Sequence, residues 1–311
     1  MPVRSIVALC CLLAGAGASL AAQAPLRPEG DEWLKKPVDE ATFRNFLSFF
    51  AYDQKLPLDP RVTRTEEVEG VRAELLSFQS SPGIRVTAWL DHAPGGISGA
   101  PGLVLIHGGI GAGKDTPGYR ALAEFFARAG FTTLAIDLQY FGERKGDLLT
   151  TFTEAEKHDR LYNQPSTYLA WVTQTVKDAG RGYDLLVERG VDPRRVALVG
   201  FSRGAQLAFI AGAADRRFAT VVAMMGGHFD ANETGHLPAA CPANYIGRIS
   251  PRPLLMVNGT LDADYFPETS VTPLERLARQ PKRILWREIP HQTPQEETRI
   301  AVVQWLREHL R

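Results

Sequence analysis

Residues 196–209 constrain this chain more than any other stretch. Val196-Ala197-Leu198-Val199 is an unbroken apolar run, as expected of a strand buried on both faces. Ala205-Gln206-Leu207-Ala208-Phe209 reads as a helix, and Gly200-Phe201-Ser202-Arg203-Gly204 lies between them. A strand that passes into a helix through five residues must turn sharply. Glycines two positions either side of Ser202 let the neighbouring backbones approach, while the serine takes strained angles. Its hydroxyl is then held at a helix N-terminus, whose dipole favours developing negative charge. G-x-S-x-G alone is a weak pattern, and an N-cap serine would satisfy it; the flanking strand and helix give it weight.

The chain alternates in the same way elsewhere. Asp31 to Tyr52 has helical spacing. Val68–Phe78 and Ile84–Leu90 are β-rich and separated by Ser80-Ser81-Pro82-Gly83, so a hairpin is expected. Then come strand-like runs at Gly102–Ile106, Phe131–Ile136, Arg195–Val199, Ala219–Ala223, Pro253–Val257 and Arg283–Glu288. Helical stretches are expected at Tyr119–Arg128, Thr167–Arg189, Ser202–Ala213 and Pro294–Leu310. Alternation of this kind predicts an α/β fold: a mostly parallel eight-stranded sheet, an antiparallel N-terminal hairpin and helices on both faces. Only about thirty residues, Met224 to Arg252, separate the sixth strand from the seventh. Little or no lid is therefore expected, with an open cleft suited to short acyl groups or to an ester on a bulky carrier.

Serine becomes a nucleophile only when a base takes its proton and an acid orients the base. After Leu254–Val257 comes Asn258-Gly259-Thr260-Leu261-Asp262, a turn that delivers Asp262 to the rim holding Ser202. Asp264, two residues on, is the alternative acid. Of seven histidines, His291 alone lies just past the last strand and before the final helix. The oxyanion needs two backbone donors. The expected pair is the N–H of Arg203 and that of Gly109 in His107-Gly108-Gly109-Ile110-Gly111, with Ile110 as the alternative. His107 is expected to anchor that loop. The Arg203 side chain either adds charge near the oxyanion or lies on the surface. Phe141, Phe201, Phe229, Tyr245 and Tyr265 are candidates for the cleft walls or for the core.

These features together resemble the α/β-hydrolase superfamily over nearly the whole mature chain. The nucleophile, acid and base fall in its order, Ser202, Asp262, His291. Within it the chain is similar to dienelactone hydrolases, acetyl xylan esterases and the catalytic domain of prolyl-oligopeptidase-type enzymes. Asp137-Leu138-Gln139-Tyr140-Phe141-Gly142-Glu143-Arg144 matches a loop found there after the fourth strand. The resemblance implies a serine carboxylic-ester hydrolase working through an acyl-enzyme on a small-molecule or polysaccharide ester. A peptidase of the same fold and a non-catalytic binding protein are the alternatives. Dienelactone hydrolases proper tend to use cysteine where this chain has Ser202, and no propeller precedes the catalytic part as in the peptidases.

Other features narrow the field. Thirty-five Lys+Arg balance thirty-five Asp+Glu, which argues against a nucleic-acid partner. Gly108 to Lys114 fits the phosphate-loop pattern G-x-x-x-x-G-K. However, Asp115 stands where Ser or Thr should follow, and Thr116-Pro117-Gly118 interrupts the helix. No histidine pair has metal-ligand spacing, so neither metal nor other cofactor is expected. Sequons at Asn232 and Asn258 carry little weight. Met1 to Arg4 is positive, Ser5 to Leu20 apolar, and Ala18 to Gln23 rich in small residues. Residues 1–22 therefore read as a signal peptide of a secreted or periplasmic protein. Residues 23–65 follow as linker and N-terminal helix, and 66–311 as the catalytic domain. Cys241 is the single cysteine left after cleavage and reads as structural or incidental. No later run is apolar for long enough to span a bilayer, and the oligomeric state is left open.

Overall fold

The computed structural model describes residues 32–311; the expected signal peptide lies outside them. Strands β1 (Arg61–Val68), β2 (Val71–Ser81), β3 (Ile84–Asp91), β4 (Gly102–Ile106), β5 (Thr132–Ile136), β6 (Val196–Phe201), β7 (Thr220–Met224), β8 (Leu254–Gly259) and β9 (Lys282–Arg287) form one sheet. Its order is β1-β2-β3-β5-β4-β6-β7-β8-β9. Pairing is antiparallel from β1 through β3 to β5 and parallel from β5 onward.

The sheet has nine strands rather than the eight expected. The run expected as one strand from Val68 turns at Glu69-Gly70, and β1 lies mostly in the segment read as linker because Arg-Val-Thr-Arg-Thr-Glu-Glu-Val buries almost nothing and shows no period-2 pattern. Its ladder with β2 and a tight turn at Glu69-Gly70, both with positive φ, hold it in place. Charged residues on this outer strand also discourage pairing with another sheet edge.

Helices α1 (Glu32–Lys35), α2 (Glu40–Leu47), α3 (Pro117–Arg128), α4 (Glu154–Lys157), α5 (Pro165–Glu188), α6 (Arg203–Ala214), α7 (Thr272–Leu277) and α8 (Glu296–His309) surround the sheet. The N-terminal helical stretch is split. Pro37 lies between α1 and α2, and Asp39 caps α2 by accepting the Thr42 amide at 2.7 Å. Two apolar cores result, one on each face. Trp171, Leu186 and Phe209 of α5 and α6 belong to the first; Phe126 of α3 and Val302 and Leu306 of α8 belong to the second. Strands β4 to β8 are buried on both faces, which explains their near-continuous apolar sequences.

Chain order reverses between β4 and β6. From β4 the chain moves to β5 on one side, and later returns to β6 on the other. Carboxyl ends of strands at such a reversal splay their loops apart and open a crevice. The loops carrying Gly109 and Ser202 leave from these two neighbouring strands.

Candidate active site

Ser202 has φ 56° and ψ −123°, a conformation that disfavours any residue with a side chain. The fold holds it there: its N–H donates to Met224 O at 2.8 Å, and its carbonyl accepts from the Ala205 amide at 2.8 Å. A Cβ on Gly200 would collide with the Gly204 carbonyl, and one on Gly204 with the Ile106 carbonyl. Only glycine fits at either position.

Ser202 Oγ lies 2.8 Å from His291 Nε2, and His291 Nδ1 lies 2.9 Å from Asp262 Oδ2. The histidine ring rests between Phe201 and Tyr265, at centroid distances of 6.1 and 5.8 Å. Asp262 is buried, and its second oxygen accepts the amides of Asp264 and Tyr265, each at 2.9 Å. Asp264 differs in every respect. Its side chain is 62% exposed and faces His291 from the other side, 3.6 Å from Nε2. Partial burial raises its carboxyl pKa against the opposing pull of His291, and the charges of Asp262, Glu154 and Asp230 add smaller increments.

Gly109, Ile110 and Arg203 border the same cavity, of about 480 Å³, as Ser202 and His291. The Arg203 amide opens α6, where first-turn N–H groups have no acceptor within the helix. His107 ties down the diglycine loop. Its Nε2 accepts the Leu138 amide at 3.0 Å, which leaves Nδ1 to donate to Gly108 O at 2.5 Å. Burial lowers the His107 pKa, consistent with this neutral tautomer.

The Arg203 side chain borders the cavity beside Ser202 and does not lie on the surface, the second of its two expected positions. It is buried and pairs with Asp230 and Glu233, also donates to Gln206 Oε1, and stacks 3.9 Å above the Tyr162 ring. Glu233 further pairs with His236 at 2.8 Å. His158 Nε2 lies 3.0 Å from both Asp230 oxygens, and its Nδ1 lies 2.7 Å from Glu154 O. Burial opposes the charged imidazole, but hydrogen bonds and charge from Asp230 prevail and raise its pKa. The segment between β7 and β8 therefore forms short turns that carry carboxylates under the nucleophile, instead of a lid.

Residues 154–162 were not singled out by sequence. α4 runs into a wide π-helical turn, His158–Tyr162, and brings Lys157, His158 and Tyr162 to the cavity wall. The available signal was the polar run Thr153 to Arg160 between two buried elements, which is ambiguous without coordinates. Among the aromatic candidates, Phe201 and Tyr265 border the cavity. Phe141, Phe229 and Tyr245 are fully buried, in contact with Trp171, His228 and Phe43 respectively.

The phosphate-loop pattern has a structural explanation. Lys114 is fully buried, with its ammonium 2.8–3.0 Å from carboxylates of Asp115, Asp137 and Glu143. Burial opposes its charge, and the three carboxylates outweigh that and raise its pKa. Cys241 is buried in the first apolar core. Asn258 is also buried, and its amide donates to Gly226 O at 2.9 Å. Among the described residues, no helix is long and apolar enough to cross a membrane.

A sequence model of the alpha/beta hydrolase family matches residues 103–307. The chain belongs to that family. Several solved structures share the alpha/beta hydrolase fold with it. An acetyl xylan esterase from Paenibacillus sp. R4 superposes with a TM-score of 0.68 at 16% identity, covering 90% of this chain and 99% of that one. Acetyl xylan esterase 1 from Thermoanaerobacterium sp. JW/SL YS485 gives 0.63 at 16% identity, covering 93% and 96%. A glucuronoyl esterase from Solibacter usitatus gives 0.57 at 16% identity, covering 88% and 94%. No curated protein matches this alpha/beta hydrolase significantly in sequence.

Proposed function

We propose that this alpha/beta hydrolase is a secreted serine esterase that cleaves carboxylic esters through an acyl-enzyme. The observation that carries the reading is the unbroken hydrogen-bonded line Ser202–His291–Asp262, which begins at a strained elbow on a helix N-terminus. In this reading His291 Nε2 takes the Ser202 proton as Oγ attacks the acyl carbon. Asp262 keeps the proton on Nδ1 and stabilises the imidazolium that forms. The N–H groups of Arg203 and Gly109 receive the oxyanion. His291 then protonates the leaving alcohol and afterwards activates the water that releases the acid.

Burial and the bond to Nδ1 favour Asp262 over Asp264 as the orienting carboxylate. The substrate side of the proposal is an ester with a short acyl group, or one borne on a carbohydrate. The names of the structural neighbours, acetyl xylan and glucuronoyl esterases, support it, as do the polar side chains of Asn232 and Gln292 on the cavity wall. Export by cleavage near Ala22 completes the proposal.

The deciding experiment is labelling with a fluorophosphonate probe, alongside turnover of p-nitrophenyl esters of increasing chain length, acetylated xylan and a proline-type peptide anilide. Labelling and ester turnover that vanish in Ser202→Ala are expected. A wild-type protein that neither labels nor turns over would make the scaffold a binding protein, and preference for the anilide would make it a peptidase.

A further inference from the structure

Two consecutive glycines, Gly108 and Gly109, lie in the loop proposed to receive the oxyanion. Glycine has the widest conformational freedom of any residue, so donors on such a loop are aligned only if something else holds the peptides. Each carbonyl of the pair has its own tether. Gly108 O accepts from His107, and Gly109 O accepts from Lys157 Nζ at 2.7 Å. His107 precedes the loop directly. Lys157 comes from α4, 48 residues on, and serves no triad member.

Lys157 is 4% exposed, and its ammonium also donates to Glu154 Oε1 at 2.5 Å. Burying an ammonium is costly unless it is fully engaged. Its carboxylate partner is 70% exposed, so a solvent-facing pair would have been open to both side chains. Instead the lysine points inward, at a main-chain carbonyl. Tyr162, one wide turn further on, completes the contact: its hydroxyl would lie 2.8 Å from a Cβ on Gly109, with Lys157 Nζ at 3.6 Å. A planar trans peptide orients its carbonyl and N–H oppositely, so fixing Gly109 O toward Lys157 turns the Ile110 N–H away from it. With Gly108 O held by His107, it sets the second of the two peptide planes that meet at Gly109, whose N–H is the proposed donor. The neighbouring His158 bonds Asp230, which pairs with the guanidinium of Arg203, so the same segment also meets the side chain of the residue that carries the second proposed donor.

We propose that Lys157 is a positioning residue for ester hydrolysis: its ammonium holds the Gly109 carbonyl and thereby keeps the diglycine loop aligned to receive the oxyanion. The proposal rests on the serine-hydrolase reading above. Losing an oxyanion donor outright lowers kcat about 10²- to 10³-fold, so loosening one should cost about 10- to 100-fold.

The test is Lys157→Met against Lys157→Gln, which retains an N–H donor without the charge, with p-nitrophenyl acetate as an uncharged substrate. The expected result for Lys157→Met is that fall in kcat with KM within about threefold. Affinity for a methyl trifluoromethyl ketone, whose serine adduct carries an oxyanion, should fall in parallel, with Lys157→Gln intermediate. Unchanged kcat in Lys157→Met, or a rise in KM alone, overturns the proposal; the second result would make Lys157 a substrate contact. If Lys157→Met does not fold, Lys157→Gln decides, and wild-type kcat and ketone affinity in that variant overturn the proposal. Absence of Ser202-dependent turnover in the wild type would overturn the hydrolase reading as well, so the two failures are told apart.

Discussion

Asp262→Asn tests the proposed triad at the point where the structure makes the sharpest demand. The carboxylate does two jobs: Oδ1 accepts the amides of Asp264 and Tyr265, and Oδ2 faces His291 Nδ1. An asparagine has one acceptor oxygen and one donor nitrogen. Turning the nitrogen toward the two backbone amides would set donor against donor at two contacts. The side chain should therefore keep its oxygen there and present its NH₂ to His291. Nδ1 must then accept, which moves the ring proton to Nε2, and Nε2 can no longer take the Ser202 proton. In a serine protease with this constellation the corresponding change lowers kcat about 10⁴-fold, equivalent to roughly 5 kcal/mol of barrier. A fall of that order is expected here for p-nitrophenyl acetate at pH 8, with the melting temperature nearly unchanged because both backbone hydrogen bonds survive. Asp264→Asn, measured beside it, should stay within about tenfold of wild type, since that exposed carboxylate does not touch Nδ1. Near-normal turnover in Asp262→Asn, or a larger loss in Asp264→Asn, would refute the reasoning.

Two further predictions concern the buried charges beneath the nucleophile. Arg203→Met removes the shared partner of Asp230 and Glu233 and should destabilise the protein by about 3 kcal/mol in urea unfolding; this is the low end of what breaking a buried pair costs, because His158 and His236 still face the two carboxylates. An unfolding midpoint equal to that of wild type would show that the pairs contribute no net stability. For Glu233, burial alone would raise the carboxyl pKa, but Arg203 and His236 prevail and hold it well below its ordinary 4.5. A depressed native pKa stabilises the fold fully above the unfolded value, and that stabilisation is lost as pH falls from about 4.5 toward the native value. Glu233→Gln should flatten this acid limb in urea midpoints taken between pH 6 and 3, and an unaltered limb would assign it to other groups.

The sequence shows the alternation of strands and helices because β4 to β8 are buried on both faces and therefore apolar throughout. It shows Ser202, Asp262 and His291 as candidates because each follows a strand at a turn, and the structure brings the three within hydrogen-bonding distance. β1 was invisible for the opposite reason: an edge strand held by backbone pairing needs no apolar pattern. The burial of the Arg203 side chain was not legible because charge predicts exposure unless the partners are known, and Asp230 and Glu233 lie some thirty residues further along the chain. Lys157 is hidden in the same way.

Local rules thus determined where strands end and where a strained serine can stand, since those depend on neighbours within a few residues. Tertiary structure alone decided which carboxylate meets Nδ1, which charges are buried together, and what holds the diglycine loop. Those outcomes depend on electrostatic partners far apart in the chain, whose pairing exists only once the sheet has brought its loops to one end.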